Sequence, residues 1–175
     1  LRAAGLTASL ILLALATAAG ATTAPASDPF SVLKIYDGAW NVRADHPWGG
    51  AAAGATARLD SHCERFTVYF ACEQTVNGKP QILIVYTLGE TGGFYTRTIA
   101  PSGLAAARGA LEVNGSRWTY LDKPAAGLTG PWSKVENDIV DHDHIRFAEY
   151  ESADQGMTWT QTNAGLEVRA SSRPG

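Results

Sequence analysis

The feature that most narrows the fold of this chain is its punctuation. From Trp40 onward, short runs of β-branched and aromatic residues are broken by turn residues roughly every 8 to 12 positions. Asn77-Gly78 stands between the runs 66–76 and 81–87. Asn-Gly accepts positive φ at both centres of a type I′ turn, whose twist matches that of paired strands, so a hairpin is predicted there. A second Asn-Gly, at Asn114-Gly115, separates 111–113 from 117–121 in the same way. Gly92-Gly93 and Pro101-Ser102-Gly103 bracket 94–99, and a Gly- and Pro-bearing loop covers 124–131. Asp141-His142-Asp143 divides 135–140 from 145–150, and Gln155-Gly156 leads into 157–161 and 166–169. No helical period interrupts this series. The alanine-rich stretches 51–57 and 104–110 favour helix by propensity, but their glycines and short length place them in strands or loops. The expectation is an antiparallel all-β domain of about 8–10 strands, built as a meander, sandwich or barrel.

The N-terminal 30 residues read differently. Arg2 precedes a mostly apolar run, Leu6 to Ala16, and small residues follow at Ala18-Ala19-Gly20-Ala21. That is the layout of a secretory signal peptide over 1–21, too short for a membrane span. Residues 22–29 form a polar leader with two prolines, expected to be loose. The domain is placed at 30–170, with a tail at 171–175. Asp28-Pro29 is a helix start, Asp capping and Pro at the first helical position, for one or two turns before Asp37-Gly38.

Composition removes some functions. The chain holds 14 Lys and Arg against 17 Asp and Glu, with no basic run. Nucleic acid is therefore not an expected partner, because phosphate binding needs clustered cations. No Gly-x-Ser-x-Gly elbow, phosphate-cradling glycine loop or His-Glu-x-x-His is present, so no catalytic residue is assigned and no cofactor is implied.

A short helical turn, then Gly38-Ala39-Trp40 on the first strand, then a series of hairpins, resembles the lipocalin-like (calycin) barrels and, within them, small bacterial secreted domains of unknown function. The resemblance spans roughly residues 30 to 170. It implies an up-and-down barrel whose Gly-x-Trp closes one end, with an Arg from a late strand meeting the Trp. Arg169 stands at that place in the chain, and a cation–π pair with Trp40 is expected. Trp40 is followed by Asn41-Val42-Arg43-Ala44, so the Gly-x-Trp-x-Gly-x-Gly pattern of haem-binding relatives is absent.

The remaining polar and aromatic residues define candidate sites. Cys63 and Cys72 are the only cysteines, and export makes a disulfide their expected state. Bridged Cα atoms lie within about 7 Å, whereas nine residues of straight strand span about 30 Å. Either the chain bends between them, with the bend placed near Glu64-Arg65, or neighbouring strands bring them together. His142 and His144 in Asp141-His142-Asp143-His144 would share one face of an extended strand, about 7 Å apart; a polar turn accounts for them better than a metal site. Tyr69, Glu73, Tyr86, Arg97, Trp118, Tyr120 and Glu149 are candidate ligand-binding residues if their faces of the strands point inward. Trp48, Trp132 and Trp159 add to the aromatics able to line a pocket or fill a core. The function expected from these features is an exported protein, periplasmic or extracellular, that binds a small apolar or amphipathic molecule in its barrel. An enzyme on the same scaffold using inward Glu, Arg and Tyr residues, or a filled barrel with no ligand, is the alternative.

Overall fold

The turn-punctuated runs become ten strands, seen in a computed structural model that describes residues 27–90 and 92–171. A 3₁₀ helix, Ser31–Tyr36, comes first. The first five strands are β1 Gly38–Ala44, β2 Thr56–Arg65, β3 Phe70–Val76, β4 Lys79–Leu88 and β5 Phe94–Ile99. The others are β6 Ala105–Asn114, β7 Arg117–Pro124, β8 Trp132–Ile139, β9 His144–Ser152 and β10 Thr160–Arg169. Each pairs antiparallel with its sequence neighbours, and β1 pairs with β10, Trp40 opposite Arg169, so the sheet is a closed up-and-down barrel. Closure removes the unpaired edges an open sheet would expose. The predicted signal peptide, residues 22–26 of the leader and residues 172–175 of the tail lie outside the described residues. Among the described residues no helix is long and apolar enough to cross a membrane.

Turn chemistry accounts for most of the connections. Asn77 and Gly78 have φ of 50° and 74°, the pair of positive values a type I′ turn needs. Asn77 also fastens this end of the barrel: its side chain accepts from the Arg58 amide and donates to the Gly49 carbonyl. At the second Asn-Gly the turn lies one residue further on than predicted. Asn114 ends β6 opposite Arg117, and Gly115 with φ 59° takes the first central position, leaving Ser116 as the second. The run 66–76 is not one strand. Residues 66–69 form a turn in which the rings of Phe66 and Tyr69 stack at 4.5 Å, and β3 starts only at Phe70.

That turn decides the cysteines. It folds β3 back on β2 so that Cys63 and Cys72 face each other directly, with Cα atoms 4.1 Å apart, and they form a disulfide. The predicted helix start is also modified. The helix begins at Ser31 and is of the 3₁₀ type, and the Asp28 carboxylate accepts from the Phe30 amide while pairing with Arg65. Residues 51–55 are loop, whereas the alanines of 105–110 belong to β6.

The barrel has two unlike ends. At the end where β1 starts, the 3₁₀ helix packs Leu33 and Tyr36 against Trp40, Phe70, Trp118 and Ile145, all buried. Arg169 binds this end together. Its guanidinium lies 4.1 Å from the Trp40 ring and donates to the carbonyls of Asp37 (2.8 Å), Ile35 (2.9 Å) and His142 (3.3 Å). Gly38 is required twice over: its φ is 114°, and a Cβ there would stand 2.8 Å from an Arg169 nitrogen. At the opposite end, the loop 45–55 and the turns after β3, β5, β7 and β9 surround an entrance instead of a plug.

Candidate binding cavity

Strand alternation sends every second side chain inward, and in the half of the barrel beyond Tyr36 and Trp40 those side chains do not meet. They leave a cavity of about 450 Å³, within the range of small-molecule sites. Its floor is Tyr36 and Trp40. Leu59, Ile82, Ile84, Val135 and Phe147 supply apolar wall, and Gln74, Gln81, Thr98, Asn137 and Asn163 supply polar atoms. Trp48, from the loop after β1, hangs into the cavity near the entrance, its ring 6.5 Å from Phe147.

Three carboxyl groups face this space, on β7, β9 and β10. Asp122 sits in a niche made by a missing side chain: a Cβ on Gly109 would collide with its Oδ1 and with the Leu121 carbonyl. Thr96 Oγ1 donates to Asp122 Oδ1 at 3.1 Å. Burial raises the Asp122 carboxyl above its ordinary range, and the Thr96 bond offsets part of that. Glu149 accepts from the Trp48 indole N–H at 3.3 Å. A bulge in β10 between Gln161 and Asn163 sets Asn163 directly opposite Glu149. Burial again raises the carboxyl, and the Trp48 and Asn163 contacts lower it.

Glu167 is the most perturbed of the three. Enclosure deep in the barrel, and next the like charge of Glu149, push its carboxyl up to about 7. Its side chain opens onto the cavity, so it is only half-buried as a surface, yet protein surrounds it on nearly every side. It has no hydrogen-bond partner among the described residues. Beside it runs a chain of phenols. Asn137 Nδ2 donates to the Tyr36 hydroxyl at 3.1 Å, and the Tyr86 and Tyr120 hydroxyls are 3.0 Å apart. Burial first of all raises all three phenols well above their usual titration, so they stay neutral donors and acceptors.

Of the residues singled out in the sequence, Tyr120 and Glu149 line the cavity. Tyr86 points inward but is buried in the core beneath it, and Trp118 is buried at the closed end, its indole N–H donating to the Gly115 carbonyl. Tyr69 lies in the turn before β3. Glu73 and Arg97 project from the outer surface, because Cys72 and Gln74 on β3, and Thr96 and Thr98 on β5, occupy the inward positions. Among the described residues no Arg faces Glu149 from within; Arg146 is also exposed. Trp132 and Trp159 lie outside the cavity, where Lys123 covers the Trp132 ring at 4.1 Å and Lys134 reaches Trp159 at 5.3 Å. His142 and His144 sit at the outer rim of the closed end, each 2.8 Å from an aspartate, Asp143 and Asp141. Among the described residues no group of three or more His, Cys, Asp or Glu is placed to hold a metal ion.

Asp122 and Glu167 were not singled out, although a signal for each existed. Once Arg169 is placed inward to meet Trp40, period two puts Glu167 on the same face; once Tyr120 is inward, so is Asp122.

No family model and no curated protein matches this chain. Its fold is similar to the crystal structure of Rv2717c from M. tuberculosis, with a TM-score of 0.52 at 15% identity over 84% of this chain and 98% of that one. At that identity the likeness concerns the barrel alone.

Proposed function

We propose that this chain is an exported barrel protein that holds a small amphipathic molecule in its cavity and performs no chemistry on it. The observation that carries this reading is the half-empty interior. A barrel selected only to be a stable module would fill that volume with side chains, because each unfilled methyl-sized space costs roughly 1 kcal/mol. The mixture of aromatic wall and separated polar groups favours an amphipathic occupant over a wholly apolar one. Export is supported by the Cys63–Cys72 disulfide, a bond that persists in oxidising compartments, and by the signal-peptide layout of residues 1–21.

Native mass spectrometry of protein purified from its natural source, with a thermal-shift screen of lipids and small hydrophobic compounds, tests it. A bound mass of small-molecule size, released on denaturation, is the expected result. Bare protein whose melting temperature no compound shifts would overturn the reading in favour of a ligand-free module.

One observation favours a second reading. A deeply enclosed carboxyl titrating near neutrality, such as Glu167, is the kind of group that enzymes use as a general acid or base. In that case the molecule recovered from the cavity would be consumed on incubation with wild-type protein and stable with Glu167→Gln.

A further inference from the structure

The interior of the barrel is lopsided in charge. Asp122, Glu149 and Glu167 line the cavity, and among the described residues no Lys, Arg or His does. The cations nearest the wall point away from it. Arg97 and Arg108 stand on the outer face, and Arg169 is turned to the closed end, engaged with three backbone carbonyls. Two of the acids have donors, Thr96 for Asp122 and Trp48 for Glu149. Glu167 has none among the described residues, and the charge that acts on it, that of Glu149, has the same sign. Burying a carboxyl without a partner destabilises a fold, and an apolar residue of similar volume would serve stability better. The missing partner is therefore sought in the ligand.

Resting on the reading of the cavity as a binding chamber, we propose that its ligand is a small primary ammonium compound whose charged nitrogen is received by Glu167 and whose apolar part lies along Ile82, Ile84, Val135 and Phe147. An ammonium group brings three donors to a carboxylate that accepts none from the protein. Tyr36 and Phe147, which line the same cavity, add aromatic surface that favours a cation. An anionic amphiphile is disfavoured, because its head group would meet three carboxyls and no countercharge.

Binding carries a proton balance. Below neutrality Glu167 holds its proton; as the ammonium enters, that proton passes to solvent and a carboxylate–ammonium pair remains. The groups facing Glu167 are Trp40 and Val42 on β1, Ile145, Phe147 and Glu149 on β9, and Tyr36 on the helix. Across the cavity stand Tyr120 and Asp122 on β7 and Asn137 on β8. Asp122 and Glu149, both raised by burial, are the other carboxyls in that set. An alkylammonium, like a lysine side chain, stays protonated throughout that range.

Isothermal titration calorimetry of the disulfide-intact chain with octylamine, octanol and octanoate, at pH 6 and pH 8, separates the cases. Octylamine is expected to bind at pH 8 at least tenfold tighter than octanol, with octanoate weakest. Its affinity should fall about tenfold from pH 8 to pH 6, the loss in ionised fraction of a group titrating near 7. Proton release at pH 6 should appear as a heat that depends on the buffer's ionisation enthalpy. Glu167→Gln should remove the preference for the amine while retaining octanol binding, which also reports that the variant is folded. Octanol or octanoate binding as tightly as octylamine would overturn the ammonium proposal and leave the chamber standing. Failure of all three to bind would overturn both.

Discussion

Replacing Glu167 by glutamine is expected to stabilise the barrel at pH 8 and to change it by less than about 0.5 kcal/mol at pH 4. The sign follows from where the carboxyl titrates. In the unfolded chain it does so near 4.5, and in the barrel at about 7. The folded state therefore holds the proton more tightly than the unfolded state. Its stability is highest below pH 4.5 as far as this group is concerned, and declines as pH rises through 7. By pH 8 the wild-type fold is less stable by about 3 kcal/mol than it would be with a neutral group of the same shape. Glutamine supplies that shape without the charge. For a domain of this size the gain corresponds to a melting temperature higher by about 6 to 12 °C at pH 8. Urea unfolding of wild type and variant at both pH values, disulfide intact in each, measures the difference directly. An equal effect at the two pH values, or a variant less stable at pH 8, would refute the argument that Glu167 is enclosed and unpartnered.

Other perturbations test the remaining parts of the fold and cavity. Arg169→Met removes the guanidinium from the Trp40 ring and from three carbonyls; a loss of about 2 to 4 kcal/mol in urea unfolding is expected, and a loss under about 1 kcal/mol would contradict the role assigned to it. The Cys63→Ser, Cys72→Ser double variant opens a short covalent loop and should lose about 2 to 3 kcal/mol; unfolding midpoints indistinguishable from wild type would refute this. Gly109→Ala places a methyl against the Leu121 carbonyl and the Asp122 carboxyl, with an expected cost of about 2 kcal/mol that Asp122→Asn does not relieve. Trp48→Phe deletes the indole donor to Glu149 and should raise the titration midpoint of that carboxyl, followed by NMR; a midpoint that stays put would show that the bond does not form in solution.

The architecture was legible because its signals are local. Asn77-Gly78 can adopt two consecutive positive φ values almost without penalty and places Val76 opposite Lys79, before a bulge between Gln74 and Thr75 shifts the rest of β3 by one residue on β4. The ten-strand count and the Cys63–Cys72 disulfide fall within what the turn spacing and cysteine number implied. The facing of individual strands was much less legible. On β3 both faces carry apolar residues, so hydrophobic alternation could not tell Phe70, Cys72, Gln74 and Val76 from Ala71, Glu73 and Thr75. Glu73 was singled out among the candidates, yet it faces solvent. The turn at 66–69 was hidden for a related reason: Phe66, Val68 and Tyr69 have strand-like composition, and only the need to bring Cys72 back to Cys63 argues for a bend. Glu167 escaped because a charged residue between Leu166 and Val168 looks like the solvent side of a strand. Here the apolar neighbours face outward and the acid faces in.

The central claim is that the half of the barrel beyond Tyr36 and Trp40 is a chamber holding an acid in wait for a cation. The carboxyl ¹³C titration of Glu167, followed by NMR in the free protein and again with octylamine, tests it most directly. A midpoint of about 7 without ligand, falling by a unit or more when the amine is present, is the expected result. A midpoint at the ordinary value for glutamate, indifferent to the amine, would contradict it.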